Sequence, residues 1–279
     1  MKTVNENTNQ TLKVIFNRIS LRKYAEKDIS HEDLNAIINA AIRAPTAGNN
    51  MLYSIIKIKN KQTKEKLSVS CDNQPFIKNS KIILIFLADI RKLYDYFNLC
   101  GVKEFCQKNG IYYTNPNYQM LYLSLNDALI AAQNAVIVAE SLGIGSCYIG
   151  DIAENYEYHR ELLNLPDGVF IATMICFGYY PEGYEKKLRP RFDRKYIVHD
   201  EKYSIINSDE LKKMYEIYSS QRFESSKGKI AVKIIDEKDG NEKEVEFSNY
   251  GQMLYTNKFG SKFSREMERS IRVMLEHWK

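Results

Sequence analysis

Residues 124–142 constrain this chain more than any other stretch. Ala128, Leu129, Ala132, Ala135, Val136, Ala139 and Leu142 recur at helical spacing, and apolar side chains spread over more than one face before Gly143 closes the helix. Such a helix has no stable place on a surface, so it predicts a central, buried position. Its alanines allow a second helix to approach closely, from this chain or from a second subunit.

Strands are expected to share that core. Residues 81–88 contain the unbroken run Ile82, Ile83, Leu84, Ile85, Phe86, Leu87, the pattern of a strand covered on both faces, and residues 169–177 form another. Residues 53–59 are also β-rich. Ser30 with Asp33 reads as a helix cap before Leu34, Ile37, Ile38, Ala41 and Ile42, and Pro45 ends that helix. Residues 91–122 read as an irregular, aromatic-rich helical excursion, and residues 155–165 as a short helix. The final third changes character: a helix over 210–223, a β-hairpin over 229–247 turning at Asp239-Gly240, and a last helix over 264–278.

Composition excludes several classes. The chain has 279 residues, 44% of them hydrophobic, which suits one domain with an appendage. Its net charge of +5 comes from 40 basic and 35 acidic residues mixed along the chain. That argues against a nucleic-acid binder and leaves an anion pocket open. Cys71, Cys100, Cys106, Cys147 and Cys176 include no CxxC pair and no cysteine–histidine metal spacing, so no metal site is expected. Reduced thiols, a polar start and no apolar run near ~18 residues point to a cytoplasmic protein without a membrane span.

Short motifs remain. Arg18, Ser20 and Arg22 alternate, so an extended backbone projects all three to one side, a cluster suited to a phosphate. Ala44-Pro45-Thr46-Ala47-Gly48-Asn49-Asn50 is a turn of small and amide residues able to bring backbone to a ligand. Gln74 precedes Pro75. The glycines at 143, 145 and 150 lack dinucleotide-fingerprint spacing and follow a helix, where that fingerprint follows a strand. Arg189-Pro190-Arg191 again sets two arginines around one residue.

Together these pieces resemble the FMN-dependent nitroreductase family, most closely its NADPH-dependent flavin and nitro reductases. The resemblance runs through Arg18-x-Ser20-x-Arg22, the 44–49 loop, Gln74, Ala131-Ala132-Gln133-Asn134-Ala135, the segment 139–145, Tyr148-Ile149-Gly150, and Arg189-Pro190-Arg191 before His199 and Tyr203. These occur in family order over residues 12–205. The resemblance implies an α+β fold with a central mixed β-sheet flanked by helices. It divides the chain into an FMN-binding domain, 1–205, and an extension of helix, hairpin and helix, 206–279, lying on the partner of a homodimer.

By position it assigns Arg18, Ser20, Arg22, Arg189 and Arg191 to the FMN phosphate and ribityl chain, and Gln74 to the ring or ribityl hydroxyls. Thr46 and Asn49 fall at the flavin edge from the partner subunit, while Ile149 and Gly150 put backbone beside the isoalloxazine. The implied activity is hydride transfer from NADPH or NADH through flavin N5 to nitroaromatics, quinones or free flavins, with no catalytic side chain. A reductive dehalogenase on the same scaffold, a non-catalytic FMN sensor or sequestering protein, and a cofactor-free structural protein are the alternatives. The chain departs from the family at Met51-Leu52-Tyr53, and its hairpin occupies the region where the NADPH branch carries a basic stretch. Nucleotide preference therefore stays open, and the hairpin either caps the flavin site or extends the dimer contact.

Overall fold

Strand β2 (Ile82–Asp89) is buried along its whole length, and its alternate residues serve two separate cores. Ile83, Ile85 and Leu87 pack on one face, and Ile82, Leu84 and Phe86 on the other. The structure, a computed structural model, describes residues 9–222, 230–235 and 240–279. Contacts divide it into two units, the described residues up to Lys187 with Glu266–Lys279, and Leu188–Arg265. Position 205, the expected domain boundary, falls inside the second unit, and the last helix returns to the first.

In the first unit β1 (Tyr53–Ile58), β2, β3 (Ile144–Ile149) and β4 (Val169–Tyr179) form a four-stranded sheet in the order β1-β2-β4-β3. Neighbouring strands pair antiparallel, and the sheet's parallel element is an isolated bridge from Ser20 to Ser146. The α+β class expected from the sequence is the class observed. Residues 144–149, given no strand by the sequence reading, contribute an edge strand after Gly143 closes the helix.

One face of the sheet is covered by α2 (His31–Ile42) and α7 (Tyr118–Ser141), whose Ala128, Ala131, Ala132, Ala135 and Ala139 are fully buried. Ser30 caps α2 by accepting the Asp33 amide at 3.0 Å. Helix α7 is long and apolar enough to cross a bilayer, but α2 and strands β2, β3 and β4 pack against it. It begins ahead of the expected residue 124 because Asn117 caps it, accepting from the Met120 amide at 3.2 Å.

The opposite core also draws on α3 (Lys61–Ser70), α4 (Pro75–Asn79), α5 (Arg91–Leu99) and α8 (Tyr156–Leu163). With α6 (Val102–Asn109), α5 resolves the aromatic 91–122 stretch into regular helices. The chain end closes this core. Met274 and Trp278 are buried, and the Trp278 indole donates to the Asn117 carbonyl at 2.9 Å.

Before α2, α1 (Gln10–Asn17) ends at Arg18 and the chain crosses the sheet edge. Leu21 donates its amide to the Ser146 carbonyl at 2.9 Å. Gly145 on β3 and Gly178 on β4 are register partners, and together they leave a trough filled by this crossing. A Cβ on Gly145 would lie 2.4 Å from Leu21 Cδ2, and one on Gly178 would lie 2.5 Å from Tyr24 Cδ1 and 2.8 Å from its Cγ.

The second unit contains α9 (Ser208–Arg222), a hairpin of β5 (Ile230–Ile235) and β6 (Glu242–Phe247), and α10 (Tyr250–Leu254). Phe247, Tyr250 and Met253 form its small core. Ile230 pairs with Phe247, as the alternation anticipates, while Phe223, Lys229 and the turn residue Asp239 lie outside the described residues. Helix α11 (Lys262–Glu276) starts in this unit and ends in the first.

The trough makes a specific demand. Gly178→Ala pushes on atoms near the root of the Tyr24 side chain, which cannot swing away, so a loss of about 1–3 kcal/mol is expected. Urea unfolding of the variant measures it, and unchanged stability would show that the crossing is loosely held.

Candidate functional site

Arg18, Ser20 and Arg22 are set out by that crossing strip. Leu21 between the last two is fully buried, while Ser20 and Arg22 are exposed, so the alternation read from sequence is real. All three side chains gather at Cys147 on β3. Burial pushes the Cys147 thiol up, and Arg22, Arg18 and a hydrogen bond from Ser20 pull against it. Tyr148 beside it is pushed by burial to about 12 against the opposing charge of Arg18.

Neither arginine has a carboxylate partner among the described residues. Arg18 Nε is buried without an acceptor, and the Arg22 guanidinium sits 5.7 Å from the centre of the Phe76 ring. Two cations held together with no anion among the described residues, one with an orphaned donor, fit a phosphate. Ser146, beneath them, also keeps a buried hydroxyl without a partner.

At the end of β3 stand Ile149, buried, and Gly150, exposed. Gly150 has an ordinary φ of −76°, and a Cβ built there meets no atom within 4 Å. Nothing in the chain itself therefore requires glycine at 150, and the space beside it is open to a ligand. Gln74 is fixed nearby: its amide donates to Asp151 Oδ2 at 2.9 Å and to the Cys71 carbonyl at 3.0 Å. Arg18, Ser20, Arg22, Gln74, Ile149 and Gly150 thus belong to one neighbourhood on the β3 edge.

Thr46 and Asn49 are held elsewhere. Asp127, buried on α7, accepts the Ala47 amide at 2.9 Å and the Leu52 amide at 3.2 Å, clamping both ends of their loop. Within it Asn49 and Met51 take φ of 59° and 52°, and Thr46 Oγ1 accepts the Met51 amide at 3.2 Å. Positive φ at methionine is strained and persists only under such restraint. Arg189 and Arg191 lie in the second unit, both exposed. His199, part of the family pattern, packs on Tyr203 at 4.6 Å between ring centres.

Sequence reading missed Asp127, Asp151 and Phe76. Asp127 left a signal, one of two carboxylates in a largely apolar helix; Asp151 and Phe76 left none, because their roles depend on partners distant in sequence. Glu154, also missed, is buried with Oε1 unpartnered. Burial, then the charges of Asp151, Asp72 and Glu266, push its carboxyl up to about 7. The described residues contain no cluster of metal-binding side chains.

A family model described as the nitroreductase family matches residues 15–179. The chain belongs to the nitroreductase family. A Bacillus subtilis nitroreductase relative named FMN reductase (NADPH) is 30% identical over 212 residues, covering 75% of this chain and 80% of the relative. NfrA2 of B. megaterium superposes with a TM-score of 0.72 at 27% identity, over 97% of this chain and 98% of that one. An NADPH:FMN oxidoreductase from Vibrio harveyi, complexed with NAD+, matches with a TM-score of 0.68 at 20% identity, over 95% and 98%, and shows the shared nitroreductase fold.

Two predictions follow from this geometry. Asp127→Asn turns one acceptor into a donor facing an N–H, so the loop clamp fails; about 1–3 kcal/mol of stability should go, with faster hydrogen exchange at Ala47 and Leu52. Glu154 keeps a proton in the folded chain that the unfolded chain releases above its ordinary value of 4.5, so stability falls as pH rises from there to about 7. Glu154→Gln should therefore raise the unfolding free energy at pH ~8 by about 1–3 kcal/mol and leave it unchanged near pH ~4.5, as urea unfolding at the two pH values measures. Equal gains at both pH values would rule out the buried carboxylate as the cause.

Proposed function

We propose that this nitroreductase-family protein is an FMN-dependent oxidoreductase that oxidises NADPH or NADH and reduces nitroaromatics, quinones or free flavins. The observation that carries this is the Arg18–Ser20–Arg22 strip, two guanidinium groups without a carboxylate partner among the described residues, around an exposed hydroxyl on the β3 edge. FMN supplies hydride transfer through its N5, which leaves the protein the work of binding, orienting and excluding water.

Arg18 and Arg22 then neutralise the phosphate as forked donors, with Ser20 adding a hydroxyl donor. Gln74, its amide nitrogen already engaged by Asp151, keeps its carbonyl oxygen available as an acceptor. Open space at Gly150 admits the flat ring beside backbone. The family resemblance adds Arg189 and Arg191 to the phosphate and brings Thr46 and Asn49 from a partner subunit. No side chain is given a proton-transfer or nucleophilic role.

A homodimer is supported by apolar side chains left exposed on α1, α5, α6 and α7, among them Phe16, Leu99, Phe105, Tyr122 and Ile130. We place the protein in the cytoplasm and assign residues 1–205 to flavin binding and 206–279 to the extension that meets the partner. The relative named FMN reductase (NADPH) supports NADPH as a donor.

An anaerobic visible spectrum tests the proposal. Purified protein should carry FMN that NADPH or NADH bleaches and a nitroaromatic or quinone restores. Arg18→Ala with Arg22→Ala should lower FMN affinity at least about a hundredfold, the loss of two charge-assisted contacts. Full flavin content in that double variant would overturn the phosphate assignment, and bound but unbleached FMN would favour a sensing or sequestering protein.

A further inference from the structure

A second cleft opens on the first unit. It runs from Arg22–Tyr24 past the start of α3 to the junction of α4 and β2, with a volume of about 930 Å³. Seven of its lining side chains are cationic and three are carboxylates. Two of the carboxylates are already engaged, Glu65 with Lys78 at 3.4 Å and Glu26 with Lys81 at 3.2 Å. Lys23, Lys59 and Lys61 have no carboxylate partner among the described residues.

One lysine distinguishes this cleft from a solvated basic face. Lys64 is 7% exposed, and its Nζ donates to the Ser80 carbonyl at 2.5 Å. Burial, followed by the charge of Lys81, holds the Lys64 amine below the ordinary lysine range, while Cys176 and then Asp28 pull the other way. A buried ammonium among other cations is an expensive arrangement that a bound anion relieves.

We propose that this cleft binds a ligand bearing two or more linked phosphate groups, at a place distinct from the flavin. Lys59 and Lys61 at the start of α3 and Lys78 and Lys81 at the junction of α4 and β2 all line the cleft, more cations than one phosphate engages. Lysine ammonium groups are compact point charges that suit phosphate oxygens at several positions without the planar geometry arginine imposes. Arg22 lines the cleft and Arg18 and Ser20 do not, so ligand in the cleft and flavin on the β3 edge share one residue of the proposed phosphate strip.

Calorimetric titration of the full-length, FMN-loaded protein with inorganic pyrophosphate is the test, with flavin absorbance followed in the same samples. Saturable binding that weakens with added salt is expected, and Lys59→Ala with Lys61→Ala should weaken it about tenfold or more while flavin content stays unchanged. Lys64→Met should weaken it as well; the exposed pair decides the matter if that variant does not fold. Repeating the titration with ADP separates the sources: tighter binding than pyrophosphate identifies a nucleotide, equal binding an inorganic polyphosphate, and both support the site. Three results overturn it: no saturable binding, an equal loss from Lys103→Ala with Lys108→Ala on α6, or displacement of the flavin by pyrophosphate. Pyrophosphate binding by a preparation lacking flavin would count against the proposed flavin function and leave this site standing.

Discussion

Helix α7 turns one face to α2 and the sheet, and its two carboxylates on the buried side must find partners inside the protein. Asp127 takes two backbone amides of the loop before β1, and Glu140 takes the Tyr180 hydroxyl at 2.9 Å and the Lys186 ammonium. An unpaired charge at either place would cost several kcal/mol. Segments far apart in sequence are thereby fastened to one helix: the Thr46–Asn49 loop and the chain leaving β4. The strain at Met51 is tolerable because Asp127 holds the loop at both ends.

The crossing strip depends on a different constraint, the absence of atoms. Gly145 and Gly178 lie opposite each other on neighbouring strands, and Leu21 and Tyr24 occupy the space their missing side chains leave. With Leu21 sunk into that trough, Ser20 and Arg22 have to face outward. Apolar packing thus aims the polar cluster, and the energy that positions two like-charged arginines comes from burial of their neighbours.

Much of this was legible. The apolar period of α7, the unbroken β2 run, the Ser30 cap and the Arg18–Arg22 alternation each rest on local spacing, which survives folding unchanged. The hairpin alternation of Ile230, Val232 and Ile234 is of the same kind. Residues 143–150 misled because glycines signal a helix end, whereas here one of them is a packing surface for residues more than a hundred positions earlier. Asp127 was visible as an anomaly but not as a clamp, since its partners are nearly eighty residues away.

The sequence by itself determined that α2, α7, β1, β2, β4 and the hairpin are helix or strand, which of their faces are apolar, and the set of cationic and amide residues that carry the family resemblance. Those properties follow from side-chain chemistry repeated at short intervals. Only the tertiary structure decided that β3 is a strand, that Gln74 is held by Asp151, that Arg18 and Arg22 go without a counter-charge among the described residues, and that Lys64 is buried among cations. Each of these depends on which distant parts of the chain a group meets or fails to meet, and local spacing contains no record of it.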